Sequence, residues 1–257
     1  MQNIKTIAFA GDSFCGSPGN GTTKVSYIHL LEKHTGAEIV HVGHPGSSIW
    51  DLALIQLPNI FGIKSLLDFP TYKQKYMKIP DVLICCWTDK YRVYHPLVRE
   101  INAGSVNAKN HIIRNDQYLY EAAKLFYSQL CFIDKQELEY VALLNYIDNE
   151  IFRIIKDKCK IINLWSFSKE YAPKGISHLD LQYLYRWNTG VEVRPALVWY
   201  SRYNTEADVG TDDLRANHLE DDKNKMMADW LIKILENYQN GNLFDYANLI
   251  ENKGENL

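Results

Sequence analysis

The chain has 257 residues, 46% hydrophobic and 23% charged, with a formal net charge of −3. That is the composition of a folded domain with an ordinary core, and its scattered Lys and Arg residues offer no electrostatic footprint for nucleic acid. Apolar runs fall short of the roughly 18 residues that span a bilayer, and Ile7 to Ala10 is too short for a signal-peptide core, so the expectation is a cytoplasmic protein without a membrane partner.

The first β-rich run, Lys5 to Ala10, leads straight into a turn crowded with Gly, Asp, Ser and Asn. A helical pattern over Val25 to His34 follows, with Val25, Ile28 and Leu31 on one face and Gly36 as its stop signal. Further strands are expected at Glu38 to Val42, Asp81 to Trp87 and Lys160 to Trp165, each nearly continuously apolar, as in a parallel sheet covered on both faces. The stretch from Ile49 to Tyr76 is less regular and punctuated by Pro58 and Pro70. Residues 92 to 116 lack periodicity and read as an insertion or flap. Two helices come next, one with the stripe Leu119, Ala122, Ala123, Phe126 and Leu130, the other with Leu138, Val141, Leu144, Ile151 and Ile155. Residues 166 to 217 are irregular apart from a strand at Ala196 to Tyr200, and a last helix over Glu220 to Tyr238 aligns Met227, Trp230, Leu231 and Ile234. The alternation predicts one doubly wound α/β domain over residues 1–241, followed by a polar tail over 242–257. Five cysteines without regular spacing argue for reduced, buried thiols, with the adjacent Cys85 and Cys86 on opposite faces of their strand.

The turn "GDSFCGSPGNG" after the first strand admits several chemistries. A phosphate cradle needs a Gly-Lys-Ser/Thr run, but Thr22 and Thr23 stand where the lysine should lead. The glycines at 16, 19 and 21 miss the dinucleotide spacing, and "GDSFCG" is one residue too long for a nucleophile elbow. What remains is Gly11-Asp12-Ser13 at the carboxyl end of a strand, where catalytic groups of open α/β sheets gather. Serine is a weak nucleophile and needs a base. His218 stands just before the last helix and after Asp212 and Asp213, an arrangement that suits an imidazole held by a carboxylate, although a helix start with an acidic first turn accounts for the same residues. His41 and His44 are spaced like metal ligands, but neighbouring residues do not complete a set.

With these blocks together, the sequence resembles the SGNH hydrolase superfamily, the GDSL esterases and lipases. Gly11-Asp12-Ser13 matches its first block, and Gly46 in "HVGHPGSSIWD" its second. Cys86-Trp87-Thr88-Asp89 stands where Gly-x-Asn-Asp is expected, and His218 is preceded at three residues by Arg215 in place of the family's Asp. The "WT" followed by Arg92 and the "RANH" run are similar to a divergent branch that includes viral and phage-encoded members, which would place the protein in a host cytoplasm or virion.

The resemblance implies a three-layer α/β/α, flavodoxin-like sheet and an ester hydrolase with Ser13 as nucleophile, His218 as base and Asp213, or else Asp212, as the acid. It implies an oxyanion hole made by the N–H groups of Ser13 and Gly46 with the Thr88 hydroxyl, and a substrate lined by Asp12, Asp89, Arg92 and Trp199. Acyl transfer to water by such residues needs no metal or organic cofactor. The 17 tyrosines and the Trp199, Tyr200, Tyr203 cluster suit stacking on a sugar, so a small acyl ester, foremost an O-acetylated carbohydrate, is the expected substrate. An O-acyltransferase and a non-catalytic glycan- or protein-binding scaffold are the rival readings.

Overall fold

The computed structural model describes residues 4–16, 26–44, 46–63, 79–88, 92–95, 99–101, 117–155, 158–165 and 221–239. Strand β1 (Thr6–Gly11) is followed by α1 (Tyr27–Thr35), β2 (Glu38–His41) and α2, a continuous helix that is α over Ile49–Asp51, π over Leu52–Gln56 and α again over Leu57–Phe61. Next come β3 (Val82–Trp87) and the short strands β4 (Val93–His95) and β5 (Arg99–Ile101). Helix α3 (Gln117–Leu125) runs on as a π turn over Phe126–Leu130, and α4 (Ile133–Tyr146) continues as π over Ile147–Phe152 and α over Arg153–Ile155. β6 (Lys160–Trp165) and α5 (Asp221–Gln239) complete the described elements.

The four long strands form one parallel sheet in the order β2-β1-β3-β6. Registers run Ile7↔Val82 through Gly11↔Cys86 and Val82↔Lys160 through Trp87↔Trp165, so the carboxyl ends of β1, β3 and β6 share one edge. Alternate residues feed two cores. Ile7, Phe9, Val82, Ile84, Cys86, Ile162 and Leu164 meet α1 and α5 on one face. Ala8, Ala10, Leu83, Cys85, Trp87 and Ile161 meet α2 and α4 on the other. This is a three-layer, doubly wound α/β arrangement, and Cys85 and Cys86 do fall in opposite cores. Each fully buried Ile, Leu or Phe contributes about 1.5–3 kcal/mol, which is why both faces of the apolar run Val82–Trp87 are covered. Among the described residues no helix is long and apolar enough to cross a membrane.

Local signals set the ends of α1. Ser26 accepts a hydrogen bond from Ile28 N–H at its start, and Gly36 closes it in the left-handed region at φ 67°, donating to Glu32 O. Asn224 of α5 accepts from Tyr27 N–H at 3.0 Å, so the two helices on that face also share a cap.

Three expectations need correction. The stretch from Ile49 contains a helix buried on nearly every side, and because it is apolar all round it shows no 3.6-residue stripe. On α3 only Ala123 of the expected stripe is buried, while Ala122 and Leu130 are exposed; the π turn from Phe126 changes the angular step, and no described layer lies over that face. On α4 the expected Leu144, Ile151 and Ile155 are buried and Val141 packs against the core, but Leu138 is 69% exposed; Tyr140, Leu143 and Ile147 complete the inner face, about half a turn from Leu138. Within the aperiodic segment 92–116, β4 and β5 pair antiparallel, and three-residue strands are too short to show periodicity. The rest of that segment, the irregular region 166–217 with its strand at Ala196–Tyr200, and the tail 242–257 lie outside the described residues.

Candidate active site

From β1 the chain moves to β2 on one side, while β3 lies on the other side of β1. The order therefore reverses between β1 and β3, and in open α/β sheets ligands bind at the carboxyl ends of the strands flanking such a reversal. Here those ends are Gly11-Asp12-Ser13 and Trp87-Thr88.

Gly11 ends β1 with φ 137°, and a Cβ added there would lie 2.1 Å from Cys86 O of the neighbouring strand. Only glycine fits, because side-chain volume and backbone angle are both excluded. Ser13 then opens a single 3-10 turn, Ser13–Cys15. Asp12 is completely buried; its Oδ1 accepts from Phe14 N–H at 3.1 Å, and its Oδ2 lies 3.7 Å from Arg92 Nη1. Two residues expected to face substrate are thus turned toward each other, and the Asp12 carboxylate braces the serine turn.

The segment after β2 lies against that turn. Gly43 N–H donates to Cys15 O at 2.8 Å and His44 N–H to Gly11 O at 3.0 Å. Ser47 N–H donates back to His44 O at 3.1 Å, closing a tight turn with Gly46 in its third place at φ 77°, the position where such a turn needs glycine. Gly46 is half-buried at the edge of this turn.

A buried polar cluster underlies both turns. Ser47, Asp51 and Gln56 are all 0% exposed. Ser47 Oγ donates to Asp51 Oδ2 at 2.6 Å, and His44 Nδ1 lies 3.2 Å from the same oxygen. Burial alone would raise the Asp51 carboxyl, but hydrogen bonds from His44, Ser47 and Gln56, with the charge of His44, outweigh it and hold the group below its usual range. Thr88, at the end of β3, donates its hydroxyl to Ser47 O at 2.7 Å, and Arg92 Nη1 reaches the same carbonyl at 3.3 Å. Tyr140 of α4 donates to Thr88 O at 2.9 Å. A hydroxyl has one proton, and in this structure that of Thr88 is on Ser47 O.

The two histidines spaced like metal ligands have separate tasks. His41 Nδ1 donates to Phe9 O at 2.7 Å, and burial pushes its pKa down to about 4, so the ring is neutral at pH 7. His44 holds Asp51. Of the residues expected in the site, the structure gathers Ser13, Gly46, Thr88, Asp12 and Arg92 at one edge of the sheet; His218, Asp212, Asp213, Asp89 and Trp199 lie outside the described residues. Sequence reasoning missed Ser47, Asp51 and Gln56. The polar Gln56 inside the apolar run "LALIQL" was the available signal, since an amide enclosed there must find partners.

No protein-family model matches the chain, and no curated protein matches it. Solved structures do match. One is a carbohydrate esterase whose active site is described as displaying divergent catalytic and non-catalytic binding functions, at 14% identity and a TM-score of 0.45 over 92% of this chain and 66% of that one. Another is the acetyl xylan esterase Est2A from the rumen bacterium Butyrivibrio proteoclasticus, at 13% identity and a TM-score of 0.44 over 92% of this chain and 64% of that one. The chain therefore spans less than two thirds of the length of either.

Proposed function

We propose that this protein is a serine ester hydrolase of the SGNH type, acting on a small acyl ester and foremost on an O-acetylated carbohydrate. One observation carries the reading: the Gly11-Asp12-Ser13 turn stands at the reversal between β1 and β3, with the Gly46 turn hydrogen-bonded alongside it. In this reading Ser13 Oγ attacks the ester carbonyl while His218 takes its proton, and Asp213 holds the imidazolium. The N–H groups of Ser13 and Gly46 receive the oxyanion, and Thr88 supports the second of them through Ser47 O. His218 returns the proton to the leaving alcohol, then activates water to release the acyl group. Asp89 and Trp199 line the substrate, whose sugar ring stacks on the indole.

Fluorophosphonate labelling tests the nucleophile directly. Wild-type protein is expected to be labelled on Ser13 and to hydrolyse an aryl acetate, and Ser13→Ala to lose both while keeping its thermal transition. In the same assay Asp213→Asn is expected to lower kcat by about 10⁴-fold and Asp212→Asn to leave it unchanged. Folded protein that is neither labelled nor active would hand the reading to a binding scaffold. Labelling with transfer to an alcohol in preference to water would make it an acyltransferase.

A further inference from the structure

Gln56 is a fully buried amide at the end of a π-helical stretch, Leu52–Gln56, in which all five residues are buried. π segments inside α-helices are uncommon and concentrate at functional sites. Its Oε1 accepts from Gly11 N–H at 2.9 Å while its Nε2 donates to Gly11 O at 3.0 Å. The side chain thus pairs with the last residue of β1 as a neighbouring strand would. The same Nε2 lies 2.6 Å from Ser47 Oγ and 2.6 Å from Asp51 Oδ2. The amide has two protons for three acceptors, so one N–H goes to Gly11 O and the other is shared between Ser47 Oγ and Asp51 Oδ2, while the Ser47 proton goes to Asp51.

We infer that Gln56 is a positioning residue that holds the serine turn, through Gly11, and the Gly46 turn, through Ser47, at a set separation across the carboxyl edge of the sheet. This rests on the esterase reading for its consequence, because nucleophile and oxyanion donor must keep their distance during acyl transfer, and a displacement of about 1 Å costs roughly a hundredfold in rate. A methionine or leucine would fill the space but satisfy neither backbone group of Gly11. Among the described residues Arg92 also reaches both turns, at 3.7 Å from Asp12 Oδ2 and 3.3 Å from Ser47 O, but Gln56 is the side chain that bonds the backbone N–H and C=O of Gly11 and also reaches Ser47.

The test is Gln56→Glu, which keeps the shape and the acceptor for Gly11 N–H but turns a carboxylate oxygen toward Gly11 O, Ser47 Oγ and Asp51. Expected are a fall in kcat on an aryl acetate of about a hundredfold with KM within about threefold, and an equal fall in the rate of fluorophosphonate labelling. Amide hydrogen exchange should speed up in the segments carrying Gly11 and Ser47 together, with β6 unchanged, and should recover toward wild type at acidic pH as the introduced carboxyl takes up a proton and donates again. Wild-type kcat and labelling in this variant, or faster exchange in one turn alone, would overturn the inference. If wild-type protein itself is unlabelled and inactive, the esterase reading fails separately, and the exchange pattern still decides: joint loosening of both turns supports the positioning role and independent behaviour refutes it. Gln56→Met provides a second variant without the added charge, for which the same joint loosening is expected without recovery in acid.

Discussion

Replacing Thr88 by valine removes one hydroxyl and keeps the side-chain shape, at a residue only 3% exposed. The lost bond is the 2.7 Å donation to Ser47 O. A buried acceptor left without its donor costs about 1–3 kcal/mol, and since Arg92 Nη1 stays 3.3 Å from the same oxygen, the lower half of that range, about 1–2 kcal/mol, is expected. For a domain of this size that is a fall in Tm of about 2–8 °C, read by differential scanning calorimetry. The kinetic effect follows from where the proton is. A side chain that donates directly to the oxyanion contributes 10²- to 10³-fold to kcat, whereas one that braces the turn carrying a backbone donor contributes less, and about three- to thirtyfold is expected here. Thr88→Ser keeps the donor, so its kcat should stay near wild type while the lost methyl costs about 1 kcal/mol of stability. A hundredfold or greater loss of kcat in Thr88→Val with an unchanged Tm would refute this reasoning, because it would mean that the hydroxyl turns to the oxyanion during the reaction.

Gly11→Ala should destabilise the protein by about 3 kcal/mol or more in urea denaturation, since the new Cβ would meet the backbone of β3 at 2.1 Å and the backbone angle is strained for any other residue; wild-type stability would show that β1 and β3 can part there. His41 gives a pH dependence of fixed sign. Its folded pKa of about 4 lies below the usual 6.5, so between those values the unfolded chain binds a proton that the folded one refuses, and stability falls as pH is lowered from about 6.5 to about 4, by up to about 1.4 kcal/mol per unit. His41→Asn, which keeps a donor for Phe9 O but does not titrate, should flatten that slope in urea denaturation, and an unaltered slope would assign it to other groups.

Much of the scaffold was legible because its signals are local. Apolar runs marked β1, β2, β3 and β6 to within one residue at each end, although β2, at the edge of the sheet, is half-buried or exposed where coverage on both faces was expected, and Gly36 marked the end of α1 because only a residue at ease at positive φ closes a helix that way. The order of a short strand and Gly-Asp-Ser placed Ser13 at the edge where parallel sheets present their chemistry. What the sequence could not disclose are the contacts that arise only when distant segments meet. Gln56 joins Gly11 across 45 positions and Thr88 joins Ser47 across 41, and neither pairing leaves a periodicity to read. Helix α2 escaped detection for a related reason: enclosed on nearly every side, it has no polar face to set its apolar one apart. Serine, threonine and aspartate in such places look like ordinary surface residues until packing removes water from them; tertiary structure then decides their role, because each buried donor and acceptor must find a partner among the others.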